Sequence, residues 1–434
     1  MAKKHIHIIG GGLAGLSAAV SLSQRSDAQV ILYESSPCLG GRARSFYDAQ
    51  LDRTIDNGNH LILSGNEAVF KYLRMIDATN SLIGSGYPLF PFVDLEVGKR
   101  WDLLLSKGSF PWWLFFAKHR VPDFKFPELF ALWKFLKADT QQTVADCLVN
   151  GQFARRLLKP FAVSALNTSC DAGSALLLGS VMRQSLMKGG KACIPYFPKE
   201  GLSETFVQPA ISLISLQGGK IHTKSRLSEL HVEEGKIDYF VMNNDKIEVG
   251  PDDSVILALN AHVAEQILGT VCPKVKVPNQ FESILNLHYA VDPDLRVKGS
   301  IDKAKFVGVI GGISEWIFVK PGVISITVSA ANRFMGCQPE NLASLIWQEV
   351  KEVLSPVVET ALPEEIPNHR LLWEKRASFV ATVEQNHRRP SCYTPYHNLF
   401  LAGDWVATGL PATIEGAIRS GFGAAEAIFS SQPL

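Results

Sequence analysis

An α/β fold is predicted by three features of the chain: a strand, a glycine turn and a helix that open it, an acid that ends the second strand, and a closing segment with a strand, a Gly-Asp step and a glycine-bearing helix. The run His5-Ile6-His7-Ile8-Ile9 precedes Gly10-Gly11-Gly12-Leu13-Ala14-Gly15, and Glu34 follows nineteen residues after Gly15. Apolar run, Gly-rich turn and amphipathic stretch, in that order, specify a Rossmann-like strand–turn–helix. The chain closes with Leu399-Phe400-Leu401-Ala402-Gly403-Asp404 and Thr413-Ile414-Glu415-Gly416-Ala417-Ile418-Arg419-Ser420-Gly421.

Each opening residue type has a physical task. Gly10 permits the turn, Gly12 lets the backbone approach a pyrophosphate, and Gly15 allows close packing of helix on strand. The helix, Leu13 to about Gln24, points its N-terminal amides at the phosphates. Gln29–Tyr33 is the second strand. A carboxylate at its end, Glu34, suits a ribose with a free 2′-hydroxyl better than a 2′-phosphate. A second glycine turn, Leu39-Gly40-Gly41-Arg42-Ala43-Arg44-Ser45, adds the guanidinium of Arg42, whose planar fork matches phosphate. Both ends of the chain therefore converge on one dinucleotide, and FAD is the expected cofactor.

Between these ends the organisation is discontinuous. A helix is expected after His60 to about Ile76, and another from Gly201 to Leu216. Runs over 220–232, 236–243 and 246–249 predict an antiparallel meander, and Val255–Leu259 returns as a buried strand of the parallel sheet. Leu285–Val291, Lys305–Ile310, Trp316–Val319 and Val323–Ser329 read as strands of a second sheet, with a helix at Asn341–Leu354. The expected division is a Rossmann-like FAD-binding domain (parallel sheet plus antiparallel meander) over 1–76, 200–265 and 395–434, and a discontinuous α+β substrate domain over 77–199 and 266–394.

Bulk properties remove several function classes. The chain has 434 residues, with Lys plus Arg at 43 against Asp plus Glu at 42, so no overall charge recruits nucleic acid. Seven cysteines with no Cys-x-x-Cys pair give neither a disulfide framework nor a metal site, and a reducing, cytoplasmic compartment is the simplest expectation. Met1-Ala2-Lys3-Lys4 and the apolar run after it imitate a signal peptide, but cleavage there would destroy the phosphate loop.

The combination of GxGxxG, Glu34, Gly-Gly-Arg, Ala-Gly-Asp and Gly-Ala-Ile-x-Ser-Gly resembles the FAD-dependent amine oxidase and phytoene desaturase superfamily. Thr54–Asn66, with its Asp56-Asn57-Gly58-Asn59-His60 core, is narrower in its associations. So are Ala165–Thr168, Lys375–Thr382 and Asp404–Glu415. These segments resemble the hydroxysqualene dehydroxylases, or squalene-associated FAD-dependent desaturases, over nearly the whole chain. The resemblance puts Gly10, Gly12, Gly15, Glu34, Gly41, Arg42 and Asp404 on the cofactor, with the helix start at Thr413 and Ile414 aimed at the flavin ring. Ser169–Gly173 departs from the proline-rich turn it implies.

The activity implied is reductive removal of the allylic hydroxyl of hydroxysqualene to give squalene, a hopanoid and triterpene precursor, with hydride from N5 of reduced flavin. Protonation of the departing oxygen is needed as well. His60 is the first candidate for that acid, Asp56 for orienting it, and Asn167 for binding the substrate oxygen. The bland alternatives are a loop-bonding histidine, a turn aspartate and a helix-end asparagine. Arg376 and Arg389 read as surface or cofactor-proximal charges. A desaturase or amine oxidase of the same fold, acting on another apolar substrate, is the alternative activity. A lipid carrier without redox chemistry is the rival of another class, and a colourless protein would support it.

One segment remains. Phe110-Pro111-Trp112-Trp113-Leu114-Phe115-Phe116 continues through Phe124, Phe126, Phe130, Trp133 and Phe135, beside Lys118 and Arg120. It is too short and broken to span a bilayer. Either it packs into the core or cavity mouth, or it makes peripheral membrane contact over 110–135, at the inner face of the cytoplasmic membrane. The implied partners are an apolar isoprenoid substrate and squalene-synthase-like enzymes.

Overall fold

The computed structural model describes residues 3–430, so Met1 and Ala2 of the signal-like start lie outside the described residues. A five-stranded parallel sheet collects strands from distant parts of the chain in the order Lys220–His222, Ala28–Tyr33, Lys4–Ile9, Ser254–Leu257, Leu399–Leu401. The register pairs Ile8 with Leu32 on one side and Ile256 on the other, and Ile256 with Phe400. Ile6, Ile8, Leu32 and Ile256 are all fully buried, as a sheet covered on both faces requires.

Two helices at opposite ends of the sequence lock against each other beneath this sheet. A methyl on Gly421, in the helix Ile414–Ala427, would lie 2.1 Å from Ala14 O and from Ser17 Oγ of the helix Leu13–Ser23. Ser17 Oγ donates across the contact to Ile418 O at 3.1 Å. Gly421 of the closing motif and Ser17 of the opening helix thus permit the close helix–helix approach.

The second sheet has seven strands in the order His369–Phe379, Phe281–Ala290, Val323–Val328, Trp316–Lys320, Phe306–Ile310, Leu89–Asp94, Lys99–Leu104. The helix Pro339–Leu354 packs on it through Leu342, Ile346, Trp347 and Val350. The four strands expected from apolar runs are present. The outer three were not foreseen: Leu89–Asp94 contains Pro91, and His369–Phe379 carries Arg370, Glu374, Lys375 and Arg376, both signals that argue against a strand.

Three local expectations are corrected. The run 220–232 is not one meander strand: Lys220–His222 joins the parallel sheet beside Ala28–Tyr33, Lys224 takes φ 54°, and the meander begins at Leu227. It then runs Leu227–Glu233, Lys236–Met242, Asp245–Glu248. The helix expected after His60 starts only at Glu67, because Ile62–Leu63 is drawn into a small sheet with Pro195–Pro198. The segment 110–135 is not one element but short turns at Trp112–Phe115, Ala117–His119 and Phe126–Leu129 followed by the helix Phe130–Lys137. Pro111, Pro122 and Pro127 prevent a continuous helix there. Among the described residues no helix is long and apolar enough to cross a membrane.

Candidate active site

A single cavity of about 1850 Å³ runs from the C-terminal ends of the parallel strands to the face of the seven-stranded sheet. Sites for one drug-sized ligand measure roughly 300–1,000 Å³, so this volume accommodates two large molecules. Gly10, Gly12, Glu34, Gly41, Arg42 and Asp404 line one end. Phe90, Phe92, Leu105, Leu157, Phe161 and Phe318 line the other. Asn57, Asn59, His60, Asn286 and Thr327 lie on the cavity wall as well.

The nucleotide end is shaped for an anion. Gly10 has φ 116°, and a Cβ there would sit 2.3 Å from Ala258 O. A Cβ on Gly15 would lie 1.9 Å from Gly10 O, whereas one on Gly12 would meet no protein atom within 4 Å. Gly12 therefore borders space kept for a ligand. No side chain caps the helix Leu13–Ser23 at its start, leaving its amides for an anionic group. Glu34 accepts from Gly11 N and Ser36 N, both at 2.8 Å, which fixes the carboxylate at the lip of the cavity while leaving lone pairs for hydroxyls.

Arg42 reaches across to the closing motif. Its guanidinium bonds Asp404 Oδ1 at 2.8 Å and Ala377 O at 2.5 Å. Burial opposes the charge on Arg42, but the Asp404 carboxylate outweighs it and holds the pKa above its ordinary value. Asp404 is positioned by a residue that sequence reasoning underrated. Arg389, nearly fully buried, donates to Asp404 O, Trp405 O and Val406 O at 3.3, 3.2 and 2.6 Å. Burial pushes its pKa down to about 10. Arg376 lines the cavity but does not take part in this brace.

Thr413 caps the helix Ile414–Ala427 by accepting from Gly416 N at 3.0 Å, and Thr413 and Ile414 face the cavity. Glu415 lines it too, but its carboxylate is engaged elsewhere. Its oxygens accept from Ala68 N and Val69 N at 3.1 and 2.9 Å, capping the helix Glu67–Met75. Asn66, at that helix start, spends its side chain on Leu63 N instead. No local sequence signal gives this role, because the cap comes from more than three hundred residues away.

The three catalytic candidates are separated by the geometry. His60 lines the cavity, and burial, more than the nearby Arg42 charge, lowers its pKa below the ordinary histidine value. Asp56 forms no hydrogen bond to His60, though its charge opposes the effect of burial there: it accepts from Ser45 Oγ and Leu202 N at 2.8 and 2.9 Å and pairs with Lys320 at 3.1 Å. Asn167, with φ 48° at the end of the helix Lys159–Leu166, donates to Ser378 Oγ at 2.9 Å and accepts from Ala330 N at 2.7 Å. Its amide ties three segments together. The polar residues that face the cavity unannounced are Asn59, Asn286 and Thr327. Asn59 Nδ2 donates to Thr327 Oγ1 at 3.1 Å, and Thr327 donates to Asn286 Oδ1 at 3.0 Å. They were missed as a group because a loop and two strands far apart in sequence bring them together.

Residues 13–429 match the family model for flavin-containing amine oxidoreductases. The chain belongs to that family. Within it, the chain is 40% identical over 425 residues to the hydroxysqualene dehydroxylase of Zymomonas mobilis, covering 98% of this chain and 99% of that one. It is 40% identical over 428 residues to the hydroxysqualene dehydroxylase of Sinorhizobium fredii, again covering 98% and 99%. An oxidoreductase structure from Methanosarcina mazei superposes with a TM-score of 0.69 at 15% identity, over 97% of this chain and all of that one. As in its family, the protein is an FAD-dependent oxidoreductase, and the crowded Gly10 and Gly15, the open Gly12 and the uncapped helix start fit the pyrophosphate of that cofactor.

Proposed function

We propose that the protein reductively dehydroxylates hydroxysqualene to squalene. The observation that carries this reading is the two-ended cavity, which joins a nucleotide cradle to an aromatic and aliphatic chamber sized for a long hydrocarbon. Reduced FAD supplies the hydride when bound. The residues of the chain provide the rest. Phe90, Phe92, Leu105 and Phe161 exclude water from the cation left when the carbon–oxygen bond opens, and aromatic faces stabilise that charge. His60 delivers the proton that lets the hydroxyl leave as water. A histidine whose pKa is lowered by burial is charged less of the time but is a stronger acid when charged. Asp56 serves by anchoring Lys320, the Ser45 hydroxyl and the Leu202 backbone amide, and Asn167 by holding the cavity wall. We place the protein in the cytoplasm, at the inner face of the membrane that dissolves its substrate, alongside the squalene-synthase-like enzyme that supplies it.

The test is anaerobic. Flavin in the purified protein is reduced, hydroxysqualene is added in detergent, and flavin absorbance and extracted product mass are followed together. Reoxidation matched by squalene is expected. Flavin that stays reduced in folded, loaded protein overturns the reading.

A further inference from the structure

Every exposed Phe and Trp of the described residues lies between Phe110 and Trp133: Phe110, Trp112, Phe115, Phe116, Phe126, Phe130 and Trp133, each 50–59% exposed. They are not scattered. Phe110 meets Trp112 at 4.5 Å between ring centroids, Phe115 meets Phe126 at 5.7 Å, and Phe130 stacks on Trp133 at 5.0 Å. Their neighbours Trp113, Leu114, Phe124 and Phe135 point inward and fix the segment to the core. Seven large rings in water are a cost that a protein acting alone does not carry.

The charges around the rings specify the partner. Between 107 and 137 stand Lys107, Lys118, Arg120, Lys125, Lys134 and Lys137, against only Asp123 and Glu128. Both acids are already engaged. Asp123 pairs with Lys99 and Arg156, and Glu128 accepts from Lys125 N and Phe153 N. Lys107, Lys118, Lys125 and Lys137 are exposed and form no ion pair among the described residues. Aromatic rings with unpaired lysines beside them match the interface of an anionic bilayer, where rings settle at headgroup depth and cations meet lipid phosphates.

The wall of the apolar chamber is formed by residues that flank this face rather than by the face itself. Leu105 and Leu186 line it. One residue beyond Leu105, Ser106 accepts from Gly190 N at 2.8 Å through its carbonyl and donates to Phe110 O at 2.8 Å through its hydroxyl. Met187, beside Leu186, is 43% exposed. The chamber therefore ends where the aromatic face begins.

We propose that the face formed by Phe110–Trp133 docks on anionic lipid and that hydroxysqualene enters the chamber from the bilayer between Leu105 and Leu186. The entry route rests on the dehydroxylase reading; the docking does not. Flavin-loaded protein is sedimented with vesicles of phosphatidylcholine alone and of phosphatidylcholine mixed with phosphatidylglycerol. Two variants are compared, Trp112→Ser/Phe115→Ser/Trp133→Ser and Lys118→Glu/Lys125→Glu, after their flavin absorbance and melting are shown to match the parent. Binding at least about tenfold stronger to the anionic vesicles, weakened at least tenfold in both variants, is expected. Turnover of vesicle-dissolved hydroxysqualene should fall with it, while turnover of detergent-dispersed substrate stays. No binding by the parent, or equal binding by the variants, overturns the proposal. So does self-association that disappears in the aromatic variant without any vesicle binding, which would assign the face to a second copy. Vesicle binding as expected, with no squalene formed from either substrate preparation, would instead refute the dehydroxylase reading and leave the docking face standing.

Discussion

Two glycines three residues apart should fail in opposite ways when a methyl is added. Gly12 has φ −73° and ψ 178°, a backbone that alanine adopts freely, and its Cβ would meet no protein atom within 4 Å. Gly12→Ala should leave the flavin-free protein close to the parent in stability, apart from about 0.5–1 kcal/mol for a poorer helix cap. Its methyl projects where the cofactor must come close. Forcing a methylene into a packed contact costs about 1–3 kcal/mol, so FAD affinity should fall about 5- to 150-fold. Gly15→Ala inverts the pattern. Its methyl would stand 1.9 Å from Gly10 O and 3.2 Å from Ala258 Cβ, so helix and sheet must part and the flavin-free protein itself should lose about 1–3 kcal/mol or more. The assays are FAD titration of the deflavinated proteins and their denaturant unfolding. Unchanged FAD affinity in Gly12→Ala, or equal loss of flavin-free stability in the two variants, would refute this assignment of cradle and packing glycine.

Two further outcomes follow from buried groups. Arg389→Met should take the shared donor from the carbonyls of Asp404, Trp405 and Val406; Val406 O keeps Thr408 N, so the cost is about 1–3 kcal/mol for each of the other two acceptors, and flavin retained through dialysis at parental stability would exclude the brace. Burial pushes both His7 and His288 down to about 4 from an ordinary 6.5. The unfolded chain therefore binds more protons between those values, and stability, fully present above about pH 6.5, should be lost as pH falls towards 4, by at most about 3 kcal/mol per histidine. Denaturant midpoints that do not move between neutral and mildly acidic pH would contradict it.

What the sequence disclosed was what local chemistry dictates. Gly10, Gly15 and Glu34 could be assigned from spacing because each acts on its neighbours within a strand–turn–helix unit. The inner strands Phe281–Ala290, Phe306–Ile310, Trp316–Lys320 and Val323–Val328 announced themselves by apolar runs. Long-range assembly was silent. Asn59, Thr327 and Asn286 become one hydrogen-bonded row only when a loop and two strands meet. Lys220–His222 was merged with the meander since nothing in three residues tells which sheet will take them; that choice is made by Ala28–Tyr33. Asp56 lies four residues from His60 yet spends its carboxylate on Ser45, Leu202 and Lys320, so nearness in sequence does not by itself make a hydrogen bond.

The closing motif shows why cofactor residues at two ends of a chain can form one rigid site. Gly403 N donates to Ser420 Oγ at 2.8 Å, tying the Asp404 turn to the helix Ile414–Ala427. That helix packs on the helix Leu13–Ser23 at Gly421, and through Glu415 it caps the helix Glu67–Met75. The cavity-lining residues among the first forty-two and those from Asp404 to Ile414 are therefore referred to one helix pair rather than to the chain between them. The chain between is free to differ. A second sheet, an apolar chamber and an aromatic face are built from it without disturbing the cradle, because function resides in sites grafted on a fold and not in the fold itself.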